Sequence, residues 1–130
     1  MTYKFEKAPG NGLILVDIVL DEIYEFKMVL DTGASNTTFD INPLYIANYP
    51  TGNTIETTIV ETANLMVEVD IIQTKAISAF GHTVQGMKVQ RYDFPKHGIM
   101  SDYDGLLGLD FFKGTELTIN MKNQTIEVNK

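Results

Sequence analysis

Apolar and polar residues alternate along most of this chain. In Tyr24-Glu25-Phe26-Lys27-Met28 the apolar side chains take one face and the charges the other, and Val67-Glu68-Val69-Asp70-Ile71 repeats the pattern. Val84 to Val89 and Leu117-Thr118-Ile119-Asn120-Met121 follow it more loosely. A period of two places successive side chains on opposite faces of a pleated backbone, so these segments predict half-buried strands. Leu13 to Leu20 is more continuously apolar, as in a strand covered on both faces. Asp21-Glu22 then predicts the turn of a hairpin that joins it to the Tyr24 strand.

Turn residues punctuate the strands at Pro9-Gly10-Asn11-Gly12, Tyr49-Pro50-Thr51-Gly52-Asn53, Phe80-Gly81-His82 and Met121-Lys122-Asn123-Gln124. One short helix is expected after Gly108, over Leu109-Asp110-Phe111-Phe112-Lys113, stopped by Gly114. The segment from Asn42 to Tyr49 has room for a single turn. The pattern is therefore all-β, and 130 residues make one domain, residues 1–130.

Charge and composition narrow the functions. The net charge is -7 with no basic cluster, which argues against a nucleic-acid partner. The absence of cysteine excludes disulfides, thiolate catalysis and cysteine-based metal sites. No stretch approaches the roughly 18 uninterrupted apolar residues of a membrane span. Met1 to Lys7 has no apolar core of a signal peptide. The expectation is a cytoplasmic protein with no membrane partner, although a chain trimmed of a leader would read the same.

The chemistry centres on Asp31-Thr32-Gly33-Ala34-Ser35. This segment ends the apolar run Phe26-Lys27-Met28-Val29-Leu30, so a carboxylate stands where a buried strand gives way to a tight turn. Gly33 suits a backbone that turns sharply and lets another chain approach. Thr32 offers a short hydroxyl to lock the turn. A second apolar-then-glycine stretch follows at Asp104-Gly105-Leu106-Leu107-Gly108-Leu109. Asp-x-Gly alone is a common turn; the order of the two stretches, the short helix after the second and a C-terminal hairpin from Leu117 to Val128 together make the pattern specific.

In these features the chain resembles the retropepsin-like aspartic proteases, over about Leu13 to Val128. The resemblance implies a closed or partly open acid-protease β-barrel of the retropepsin type, homodimeric, with one short helix after Gly108. It makes Asp31 the catalytic carboxylate. With a single Asp-Thr-Gly in the chain, the second carboxylate would come from the partner subunit. Two adjacent carboxylates share one proton: the ionised one takes a proton from water and the protonated one polarises the scissile carbonyl. Thr32 would bond across the dimer axis to its twin, Gly33 would receive the substrate backbone, and Ala34 completes the active-site loop. Leu106, Leu107 and Gly108 would form the loop packed behind it. Asp104 lacks the Asp-Thr/Ser-Gly form and is not expected to act as a second catalytic aspartate.

The same resemblance implies a flap hairpin from Ile55 to Thr74, with arms Ile55 to Val60 and Met66 to Ile72 and a tip near Glu61-Thr62-Ala63-Asn64-Leu65. Substrate contacts are expected at Gly33, Ser35, Val29, Thr38, Val60, Thr62, Ala63, Asn64 and Leu106. The implied partner is a peptide or protein substrate, with no metal and no cofactor. Tyr3 to Lys7 and Thr125 to Lys130 are the candidate dimer strands. Alanine at position 34 cannot donate the hydrogen bond that Ser or Thr would offer the carboxylate, so an activity optimum near neutral pH is expected. The implied function is a homodimeric aspartic endopeptidase. The alternatives are a non-catalytic retropepsin-fold domain that dimerises or binds peptides, and an unrelated β-barrel binding module. Asp102-Tyr103-Asp104 reads as a solvated loop. His82 and His97 read as exposed loop histidines, and Ser35 has no nearby histidine to make it a nucleophile.

Overall fold

The structure, a computed structural model, describes residues 1–10, 12–50, 52, 54–61, 66–99 and 102–130. It is mostly β. A large sheet runs in the order β6 (Glu56–Glu61), β7 (Met66–Gln73), β10 (Lys88–Tyr92), β5 (Thr38–Asp40), β11 (Gly105–Leu107), β4 (Tyr24–Leu30), β3 (Ile14–Leu20), β8 (Ala76–Ala79) and β9 (His82–Gln85). β2 (Glu6–Lys7) pairs with β3 off this path. A three-stranded sheet packs β1 (Thr2–Lys4), β13 (Thr125–Asn129) and β12 (Glu116–Asn120) in that order.

The alternating segments become strands as the pattern requires. At the Asp21-Glu22 turn both residues take positive φ, 55° and 66°, and Ile23 N donates to Leu20 O at 3.2 Å. That is the hairpin turn whose twist matches the flanking strands. Asp21 is held there by its own carboxylate, which accepts from Ala76 N at 3.0 Å and Tyr49 Oη at 2.6 Å. In β3, Leu15 and Val16 are both buried, so the strand is covered on both faces there. At the end of β4, Met28, Val29 and Leu30 are buried in succession. The core gathers Ile18, Met28, Phe39, Ile72, Leu107 and Ile126 from both sheets.

Three features differ from the expectation. Val84 to Val89 is not one strand, because Gly86 at φ 67° turns the chain from β9, paired to β8, into β10, paired to β7. The α-helix is α1 (Ile41–Ile46), where a single turn was expected, and its proline sits in the first turn, where no intrahelical N–H is needed. The element after Gly108 is a 3₁₀ helix, Leu109–Phe112, and another forms at Pro95–His97. Gly108 and Gly114 leave too few residues between them for a second turn, and the short run tightens to i→i+3 bonding. Of the closed and partly open barrels expected, no closed one forms among the described residues: β6 pairs with β7 alone, because it is the outer arm of a hairpin that leaves the sheet.

The terminal strands also find their partners within the chain. Thr2 pairs with Glu127 and Lys4 with Thr125, so β13 has β1 on one side and β12 on the other. Neither edge of β13 is open to a strand from a second subunit.

Candidate active site

Asp31 emerges, half-buried, from the end of β4. β11 runs parallel to β4 beside it, with Leu106 opposite Val29 and Leu107 opposite Leu30. The ladder's next bond is Asp31 N to Leu107 O, 3.0 Å. The loop then folds back on its own carboxylate: Gly33 N donates to Asp31 Oδ1 at 2.9 Å and Ala34 N to Asp31 O at 3.1 Å. Gly33 does not take a positive φ. Its value lies in close approach, since a Cβ there would stand 3.2 Å from Oδ1. Oδ2 has no hydrogen-bond partner among the described residues. Thr32 is exposed, without a hydrogen-bond partner in the described part of its own chain.

The segment 107–110 braces this loop from behind. Leu109 N donates to Ala34 O at 2.8 Å and Asp110 N to Ser35 O at 3.2 Å. Thr37, fully buried, sits at the centre of the brace. Its Oγ1 accepts from Gly108 N at 3.1 Å and donates to Asp110 Oδ1 at 2.7 Å, while its backbone N donates to Asp110 Oδ2 at 2.9 Å. Gly108 is required by contact: a Cβ would lie 2.7 Å from Asn36 C and 2.8 Å from Ala34 O. Gly105 is closer still, since its Cβ would overlap Thr38 O across the β5–β11 pairing. Sequence reasoning placed Leu106, Leu107 and Gly108 next to the loop but missed Thr37 and Asp110. The one signal was an acidic residue in the first turn of a helix beginning at Gly108.

Three of the expected pocket residues come together. Thr38, Val60 and Leu106 line a pocket of about 230 Å³ with Val69, Tyr92 and Tyr103, and the wall is mainly apolar. Val60 and Val69 come from β6 and β7, so the hairpin forms one side of this pocket and the strands beside the Asp31 loop form the other. Thr38 Oγ1 is fixed by Gln90 Oε1 at 3.1 Å. Val29 is buried in β4 and does not line the pocket. Gly33 and Ser35 are exposed on the loop. Thr62, Ala63 and Asn64 lie outside the described residues.

Two readings of the sequence need correcting. His82 is buried, not exposed: the tight turn at Phe80 and Gly81 tucks it under the 3₁₀ helix, its Nε2 lies 3.1 Å from Phe111 O, and its ring meets the Phe111 ring edge-on at 5.1 Å. His97 is exposed as expected and stacks on Tyr92. Asp104 is not a solvated loop residue. Its backbone N donates to Lys27 O at 2.7 Å, its Oδ2 accepts from Lys27 N at 3.1 Å, and its O accepts from Asp40 N at 2.9 Å, so it stitches β4 to β5. Burial pushes its carboxyl above the ordinary range, with the Asp40 charge adding to the shift against the opposing Lys27 N–H bond.

A parallel strand delivering a carboxylate into a loop, with a second glycine-bounded loop behind it, agrees with comparisons to known proteins. The family model described as "Aspartyl protease" matches residues 16–111, from β3 to the 3₁₀ helix. The chain belongs to that family. Its fold is similar to that of a retropepsin-like aspartic protease from Rickettsia conorii, at a TM-score of 0.74, with 16% identity over 99% of this chain and 91% of that one. No curated protein matches the sequence. No helix among the described residues is long and apolar enough to cross a membrane.

Proposed function

We propose that this retropepsin-like protein is a homodimeric aspartic endopeptidase that hydrolyses peptide bonds with water activated between two Asp31 carboxylates, one per subunit. The observation that supports it most is the Asp31 loop. One carboxylate oxygen is fixed by Gly33 N–H, the other has no hydrogen-bond partner among the described residues, and the loop is braced by Leu107 to Asp110. A rigid loop holding a half-exposed carboxylate suits a reaction in which position and electrostatics supply most of the acceleration.

In this reading the exposed Thr32 meets its twin at the two-fold axis, and the two carboxylates share one proton between them. The ionised member deprotonates the water as it attacks the carbonyl carbon, and the protonated member donates to the carbonyl oxygen. The resulting tetrahedral species collapses with proton transfer to the leaving amine. The substrate lies extended between the Asp31 loop and the β6–β7 hairpin, which acts as a flap. Its backbone bonds like an added strand, and one apolar side chain enters the pocket of Thr38, Val60 and Leu106. Neither metal nor organic cofactor takes part. The near-neutral optimum expected from Ala34 suits a cytoplasmic setting.

The occupied edges of β13 favour a second reading, a non-catalytic peptide-binding domain, since a chain that stays monomeric carries one Asp31 and no dyad. Sedimentation at tens of micromolar, with cleavage of a proteome-derived peptide library from pH 4 to pH 8 by wild type and Asp31→Asn, separates the two. Cleavage by a dimeric wild type alone supports the endopeptidase. A monomer that binds peptides and cleaves none refutes it.

A further inference from the structure

The β6–β7 hairpin is rooted over a short stretch. β7 pairs with β10 through Asp70, Ile71, Ile72 and Gln73, whereas its residues Met66 to Val69 pair with β6 alone. Asp70 opposite Arg91 is therefore the last rung before the hairpin leaves the sheet. Arg91 is 4% exposed, and its guanidinium faces both roots of the hairpin. Nη2 donates to Asp70 Oδ2 at 2.7 Å and to Thr54 Oγ1, and Nη1 donates to Pro50 O at 3.1 Å. Asp70 lies on the strand that returns from the hairpin. Pro50 and Thr54 lie on the segment that leads into it.

We propose that Arg91 is a positioning residue, a hinge clamp that sets the angle of the β6–β7 hairpin beside the Asp31 loop through Asp70, Thr54 and Pro50. As a statement about catalysis this rests on the endopeptidase reading. The chemistry requires arginine, whose planar fork reaches several acceptors at once, where a lysine ammonium on the same stem is a single point. A buried cation also tolerates loss of its partners poorly, so the three contacts hold together. The second ion pair between these elements, Lys88 with Glu56 at 3.3 Å, is exposed on both sides and holds little. Asp70 to Met66 spans about 13 Å at about 3.3 Å per residue, so a rotation of about 10° at the clamp moves Met66 by about 2 Å. Val60 and Val69 move with it, and with them one wall of the apolar pocket.

The test is hydrogen exchange by mass spectrometry on the full chain, comparing wild type with Arg91→Lys, Asp70→Asn and Thr54→Val, alongside steady-state kinetics on a peptide that the wild type cleaves. Arg91→Lys is expected to speed amide exchange in residues 56–61 and 66–69 on the order of tenfold while β3, β4 and β12 keep their protection. Asp70→Asn should give the same pattern more weakly, and KM should rise more than kcat falls. Exchange that rises evenly across β3, β4 and β12, or a hairpin that exchanges as in the wild type, overturns the proposal. So does a matched fall in active enzyme with KM unchanged. If Arg91→Lys does not fold, Asp70→Asn and Thr54→Val carry the same comparison. A wild type that cleaves nothing would defeat the endopeptidase reading, and the exchange pattern would still decide the clamp.

Discussion

Thr37→Val is the sharpest probe of the brace behind the Asp31 loop. The change keeps the β-branched shape and nearly the volume, and Thr37 is fully buried, so what it removes is the hydroxyl. Two bonds go: the donation to Asp110 Oδ1 at 2.7 Å and the acceptance from Gly108 N at 3.1 Å. The first involves a carboxylate and contributes about 1.5–3 kcal/mol; the second, once lost, leaves a buried N–H unpaired at a cost of about 1–3 kcal/mol. Partial relaxation and the retained Thr37 N to Asp110 Oδ2 bond bring the expected loss to about 2–4 kcal/mol. Against a total stability of about 5–15 kcal/mol this is large, and it corresponds to a Tm lowered by about 6–15 °C. Urea unfolding followed by circular dichroism measures it, with Asp110→Asn and the double variant completing a cycle. A coupling above about 1 kcal/mol is expected between the two residues. A Thr37→Val protein that melts within a degree or two of the wild type, or a cycle with no coupling, would refute the view that this pair holds the two loops together.

Other expectations follow from individual groups. Ala34→Ser should move the activity optimum towards acid, read from the pH profile of kcat/KM; an optimum unmoved by the change, or already strongly acidic in the wild type, contradicts the role given to that position. Asp104 is harder to ionise folded than unfolded, so its contribution to stability is present below the ordinary carboxylate range and is lost as pH rises through its raised folded value. Asp104→Asn should therefore compare more favourably with the wild type at pH 7 than at pH 3, by thermal melts at both. Burial, with the bond to Asp21, pushes the Tyr49 hydroxyl up to about 12, so an ultraviolet titration should show a phenol step near that pH, and Tyr49→Phe should remove it. Stability held by this hydroxyl is complete below the ordinary tyrosine range and is lost as pH climbs through about 12.

What was legible in the sequence was local. The alternation of Tyr24 to Met28 and the apolar run into Asp31 gave β4 and the carboxylate at its end, because period and burial are written residue by residue. The brace was not legible, since Thr37 and Asp110 are 73 residues apart and only the β4–β11–β5 pairing brings them together. His82 misled because glycine beside it signals a turn, while burial beneath Phe111 is decided by packing between distant elements. The terminal strands carry a role within the chain that their strand character alone does not reveal. Thr125 to Lys130 has strand character, yet the register with β1 and β12 places Ile126 in the core, so deleting this segment removes the middle of a sheet and should unfold the protein rather than merely separate subunits. The helix after Gly108 had the right place and too few residues.

The pairing of β1 with β13 also has a topological meaning. Thr2 stands opposite Glu127, so the first and last strands run side by side with their outer ends together. Backbones paired in this way lie about 5 Å apart, a gap that a few added residues would span. The fold can then be treated as a ring. Its ends can be joined and new ones opened at a surface turn such as Lys122-Asn123, between β12 and β13, leaving the Asp31 loop and its brace in continuous chain. By the same geometry the whole unit can be set into a surface loop of another protein, entering and leaving at one point.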